Sequence, residues 1–138
     1  MSLRTRQYVV RVNTEFAAAH VLRGYPGACE RIHGHTWKVE VEAVTHELDA
    51  LGMGIDTREL RAALGAIVDE LDHRMLNDVP PFTEVNPTAE NVASFVYGRL
   101  ARAIEAAHGA RVRLRAVTVR ENDRSSVTFS EDSGEESP

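Results

Sequence analysis

The chain has a single cysteine, a single lysine and no apolar run near the ~20 residues that a membrane-spanning helix needs. One Cys, at position 29, excludes an intrachain disulfide. Lys38 stands alone among 16 basic residues, an Arg bias that we read as genome composition rather than function. Positive charge is also short: the net charge is −5 and the pI about 5.7. That balance argues against nucleic acid as the main partner, because phosphate binding favours a basic face. The N-terminal Met-Ser-Leu-Arg-Thr-Arg lacks the apolar core of a secretion signal, so the expectation is a soluble, cytoplasmic protein with no membrane partner. At 138 residues, 43% of them apolar, the chain suits one domain with one core.

What is present is concentrated chemistry. Cys29-Glu-Arg-Ile-His33-Gly-His35 and the upstream His20 gather three imidazoles and the thiol within sixteen residues. On an extended segment an H-x-H pair puts both rings on one face, roughly 6.6–6.8 Å apart along the strand. A third His from a neighbouring strand can then close three corners of a tetrahedron. Three protein ligands with a fourth position open is the catalytic pattern for zinc. Imidazole also suits copper, iron and nickel, but the missing carboxylate weighs against a 2-His-1-carboxylate iron site, and zinc leads.

Hydrophobic alternation supplies the frame. Val10, Val12, Thr14 and Phe16 alternate with polar positions in one strand, and Trp37, Val39, Val41 and Ala43 do so in a second. His33 and His35 share the phase of Trp37, and His20 shares that of Phe16. Unless Ala17–Ala19 holds a bulge, all three histidines therefore lie on the apolar faces. Residues 23–31, with two Gly and one Pro, read as the intervening loop. Asp56-Thr-Arg-Glu59 resembles a capping box and precedes a stripe of Leu60, Ala63, Leu64, Ile67, Val68 and Leu71. A second helix should start near Pro87-Thr88 and stop at His108-Gly109. Val112, Leu114 and Ala116 begin a third strand, and Ser126–Ser130 form a fourth. The expectation is an α+β domain over residues 1–130, ordered β-β-α-α-β-β. Two helices would cover one face of a four-stranded antiparallel sheet, with residues 131–138 a disordered acidic tail. Open sheet edges point to an oligomer of identical copies.

Other residues stay open on the sequence alone. Cys29 could be a small buried hydrophobe, a fourth ligand, or a thiolate poised beside a metal. His73, near the end of the first helix, is favoured as a cation there and suits a general acid, although a solvated C-terminal His is commoner. Adjacent helix positions do not face each other, so Asp72 can orient His73 only if the helix has already ended. Glu121, ending the third strand, could accept two N–H bonds from an aminopyrimidine edge, although a lone strand-end Glu is usually just solvated.

Taken together, five pieces resemble the 6-pyruvoyltetrahydropterin synthase / 6-carboxytetrahydropterin synthase family. They are Phe16-Ala-Ala-Ala-His20, Cys29-Glu-Arg-Ile-His-Gly-His35, Leu71-Asp-His-Arg-Met-Leu-Asn77, Pro87-Thr-Ala-Glu-Asn91 and Val117-Thr-Val-Arg-Glu121. The resemblance implies the tunnelling fold, with trimers closing a barrel, two trimers stacking into a hexamer, and active sites between subunits. It implies Zn2+ on His20, His33 and His35, a pterin held by Glu121, Cys29 as base, and Asp72 and His73 completing a proton relay. Three residues separate Cys29 from His33, a spacing that looks like the 6-carboxy branch. The implied substrate is 7,8-dihydroneopterin triphosphate, converted to 6-carboxytetrahydropterin, acetaldehyde and triphosphate for queuosine or other 7-deazapurines. The alternatives are a 6-pyruvoyl synthase and a non-catalytic zinc protein in which Cys29 is a ligand. Two departures stand out: Asp56-Thr57 occupies the place of the family's usual Asp-Phe, and Glu30 offers a second base beside Cys29.

Overall fold

In a computed structural model, residues 4–27 and 31–131 are described. The residues of the expected acidic tail beyond Glu131 lie outside the described residues, as do Cys29 and Glu30. Alternation carries the first two strands further than their apolar cores: β1 spans Tyr8–His20 and β2 spans His33–Thr45. They pair antiparallel without interruption from Tyr8↔Thr45 to His20↔His33. No bulge interrupts Ala17–Ala19, so the phase argument holds to the strand ends. Phe16 lies opposite Trp37, Ala18 opposite His35, and His20 opposite His33, all on the core side.

Helix α1 (Thr57–Val68) starts where the Asp56 carboxylate accepts from Arg58 N at 2.8 Å. Glu59, expected to complete a capping box, instead meets His108 Nε2 at 3.0–3.1 Å and ties α1 to the far end of the second helix. After a short strand β3 (Arg74–Met75) and a 3-10 turn at Leu76–Asp78, helix α2 runs Ala89–His108. Thr88 caps it by accepting from Asn91 N at 3.1 Å. It stops at Gly109, whose φ of 61° suits a residue without Cβ. Strands β4 (Val112–Asn122) and β5 (Ser125–Phe129) complete the sheet, ordered β3-β1-β2-β4-β5.

The α+β architecture is the expected one, and four strands are antiparallel neighbours as anticipated. The fifth, β3, pairs parallel with β1 through Ala18↔Arg74 and Ala19↔Met75, which makes the sheet mixed. A strand of two residues has no periodicity to detect. Both helices bury their stripes on one sheet face, with Leu60, Leu64, Val92, Val96 and Leu100 packed against Val39, Val41, Val117 and Val119. The other face carries polar side chains such as Asn13, Glu15, Lys38, Glu40 and Arg120. Leu64 has no solvent exposure, so Leu64→Ala is expected to cost about 2–5 kcal/mol in urea unfolding. Among the described residues no helix is long and apolar enough to cross a membrane.

Candidate metal and active site

His20 ends β1 and His33 begins β2, so antiparallel pairing sets these two rings side by side while His35 follows on the same face. The three rings stand edge to face, with centroids 4.5 Å (His20–His33), 5.2 Å (His20–His35) and 4.8 Å (His33–His35) apart. Trp37 forms a wall behind them, its ring 4.9 Å from His20 and 5.7 Å from His35, with its indole N–H donating to Ala18 O.

Hydrogen-bond chemistry fixes the tautomers. His20 Nδ1 lies 2.7 Å from Pro87 O, and His33 Nδ1 lies 2.8 Å from Arg31 O. A carbonyl only accepts, so both Nδ1 atoms carry the hydrogen, and in the neutral rings both Nε2 atoms present a lone pair. Those Nε2 atoms face each other at 3.0 Å. Two bare lone pairs at that separation repel, and a shared cation removes the conflict. Among the described residues His35 Nε2 is buried with no hydrogen-bond partner, and one nitrogen from each ring lies within 4.8 Å of the other two. An orphaned buried nitrogen beside two converging lone pairs is a donor set that fits a divalent metal ion. The outer carbonyls on His20 and His33 are the usual orienting partners of metal-bound imidazole.

Burial is the main cause that pushes His20 below the ordinary imidazole value. Pro87 O and Glu121 oppose that push, while His33 and His35 add to it. Burial likewise lowers His35, against Glu121 and with His33. The native rings thus bind protons less readily than the unfolded chain, so on acidification the unfolded state takes up protons first. Stability from these two groups is full above the ordinary value of about 6.5 and is lost as pH falls toward the lowered native values. The metal-free protein is expected to unfold at progressively lower temperature as pH drops from about 7.5 to 5.5. A His35→Gln variant should flatten that slope in calorimetry.

Around this centre the sequence candidates fall into two groups. Glu121 comes close, its Oε2 3.6 Å from His35 Nε2, just beyond hydrogen-bond reach. Asp72 and His73 sit past the end of α1, in the turn that leads to β3, and His73 takes a left-handed φ of 58°. The helix has ended, and the condition for their pairing is met: His73 Nδ1 lies 2.9 Å from Asp72 Oδ2. The other carboxylate oxygen accepts from Ala17 N at 2.9 Å, and His73 N donates to Ala17 O. The Ala17 amide foremost, then the His73 side chain, hold the Asp72 carboxyl below the usual carboxylate range. His73 is 82% exposed and lines one shallow depression with His35, Thr36 and Arg74. Cys29 is not among the residues this geometry describes. Sequence reading missed the Pro87 and Arg31 carbonyls and the Trp37 wall. Pro87-Thr-Ala-Glu-Asn91 was the available signal for the first, but it reads as a helix start.

The sequence matches the family described as 6-pyruvoyl tetrahydropterin synthase over residues 9–132. Among similar proteins, the 6-carboxy-5,6,7,8-tetrahydropterin synthase of Synechocystis sp. is 32% identical over 101 residues, covering 70% of this chain and 77% of that protein. The 6-pyruvoyl tetrahydrobiopterin synthase of Poecilia reticulata is 30% identical over 137 residues, covering 88% of each. The solved 6-pyruvoyl tetrahydropterin synthase of Caenorhabditis elegans superposes with a TM-score of 0.78 at 25% identity, over 95% of this chain and all of that one. Fold and sequence thus define a pterin synthase of the α+β class with two helices on a mixed sheet. The chain belongs to the 6-pyruvoyl tetrahydropterin synthase family.

Proposed function

We propose that this chain is a zinc-dependent 6-carboxy-5,6,7,8-tetrahydropterin synthase. It would convert 7,8-dihydroneopterin triphosphate and water to the 6-carboxy pterin, acetaldehyde and triphosphate, in the cytoplasm, on a route to 7-deazapurines. The observation that carries the metal part is the pair of facing Nε2 lone pairs on His20 and His33, with the orphaned His35 nitrogen beside them. The three-residue spacing between Cys29 and His33 and the Synechocystis relative support the 6-carboxy branch.

Zinc, when bound by His20, His33 and His35, supplies Lewis-acid polarisation of the substrate's side-chain hydroxyls. Glu121 accepts N–H bonds from the amino-bearing edge of the pterin and fixes its orientation. Cys29 as thiolate removes a side-chain proton. His73, oriented by Asp72 at 2.9 Å, delivers a proton elsewhere on the substrate. A base and an acid with opposite starting protonation are what redox isomerisation and C–C cleavage require. Among the described residues no further strand pairs with β3 or β5, which supports assembly into an oligomer, a dimer of trimers.

A second reading, the 6-pyruvoyl synthase, is favoured by the Poecilia relative, which aligns over most of both chains. Incubating zinc-loaded protein with 7,8-dihydroneopterin triphosphate separates the two. Stoichiometric acetaldehyde supports the proposed lyase. Triphosphate release without acetaldehyde, the side chain staying on the pterin, supports the second reading and refutes the first.

A further inference from the structure

The backbone pairing between β1 and the segment that follows α1 ends at Ala19↔Met75, yet the chain beyond it does not separate. Side-chain amides take over. Asn77 Oδ1 accepts from Val21 N at 2.9 Å while its Nδ2 donates to Val21 O at 2.9 Å, copying the two-bond exchange of a paired strand residue. Asn86 repeats the device on Arg23, accepting from its N at 2.9 Å and donating to its O at 3.0 Å. Pro87, next in sequence, is the residue whose carbonyl takes the His20 Nδ1 hydrogen. The contacts therefore close a ring from His20 through Val21, Leu22 and Arg23 to Asn86, on to Pro87, and back to His20. Asn91 Nδ2 holds Asn86 O at 2.8 Å and anchors this ring to the start of α2.

From this closed circuit we infer that Asn77 and Asn86 are positioning residues of the three-histidine centre. They hold the exit of β1 against Pro87, so the His20 ring keeps the tautomer and direction that aim its Nε2 at His33. Without the Asn86 side chain the ring opens between Arg23 and Asn86, leaving the Asn77 amide on Val21 and the Arg23 guanidinium on the Phe82 and Val85 carbonyls to hold the exit of β1. Asn77 grips the middle of the exit at Val21, two residues before Arg23, and is buried. The inference rests on the metal reading proposed above and extends it to residues that touch neither metal nor substrate.

The test uses the full-length protein carrying Asn86→Ala, with Asn86→Asp as the conservative control. Asn86 is only half-buried, so the alanine variant should fold. Amide exchange should accelerate about tenfold or more at Arg23 N–H and stay unchanged in the middle of β1. Zinc affinity of the metal-free protein, measured by chelator competition, should weaken about tenfold, the low end of the effect of losing an outer-shell partner, because Pro87 O itself remains. kcat on the pterin triphosphate should fall with KM nearly constant. Asn86→Asp keeps the acceptor for Arg23 N–H but turns a second acceptor toward Arg23 O, so it should restore part of the exchange protection and zinc affinity. Faster exchange with zinc affinity at the wild-type value would reduce the clamp to a structural role and overturn the inference. If the wild-type protein leaves the pterin triphosphate untouched, the proposed reaction fails, while exchange and zinc affinity still decide the positioning role. A wild-type protein that binds no zinc overturns both.

Discussion

Replacing His20 by Ala is expected to lower zinc affinity by more than ~100-fold, beyond the ~10–100-fold typical for loss of an outer-shell partner. The reason is position as much as ligand count. His20 is the most buried of the three rings and the only one contributed by β1. Its removal leaves two nitrogens from alternate positions of one strand, and two donors do not make the three-ligand site that zinc catalysis uses. The same substitution orphans Pro87 O, which accepts from His20 in the native chain. Zinc binding to the native state raises stability by mass action, about 4 kcal/mol at a thousandfold excess over Kd. Wild-type protein should therefore show a thermal midpoint that climbs with added zinc, and the His20→Ala midpoint should stay flat. Metal analysis of the purified variant gives an independent reading of the same loss. A variant that keeps its zinc and its zinc-dependent midpoint would place the metal elsewhere.

Cys29→Ala is expected to lower kcat by about 10²–10⁴-fold, the range for removing a positioned general base, while zinc content stays at the wild-type level. The prediction separates three roles that the sequence leaves open. A ligand thiolate would take the metal with it when removed. A buried hydrophobe would lower stability and leave kcat near its starting value in protein that remains folded. Only a base loses turnover and keeps the metal. Glu30 makes the comparison richer, because a carboxylate beside Cys29 could take over part of the proton transfer. A residual rate in Cys29→Ala that disappears in the double variant with Glu30→Gln would assign that share to Glu30.

Much of the site was legible because strand periodicity is two and leaves little freedom. Once His33 and His35 share the phase of Trp37, and His20 that of Phe16, an uninterrupted antiparallel register must bring the three rings together. The helices were nearly as plain, since each carries an apolar stripe after a capping residue, and α2 also has its stop at Gly109. What stayed hidden depends on backbone geometry rather than pattern. The Asp72–His73 pair forms because the helix ends at Val68 and His73 turns left-handed, and neither feature follows from residue type. β3 is too short to alternate. The amide clamp of Asn77 and Asn86 joins segments more than fifty residues apart, so no local spacing announces it. The proposed chemistry came from the motifs: a strand-end Glu and a turn His say little alone, and their proposed roles rest on the family resemblance.

The most direct measurement is zinc K-edge X-ray absorption on the purified, zinc-loaded protein. Three imidazole nitrogens at about 2.0–2.1 Å, one further oxygen and no sulfur shell are the expected coordination. A sulfur neighbour at about 2.3 Å would mean that Cys29 closes the fourth position, and the catalytic account would not survive it.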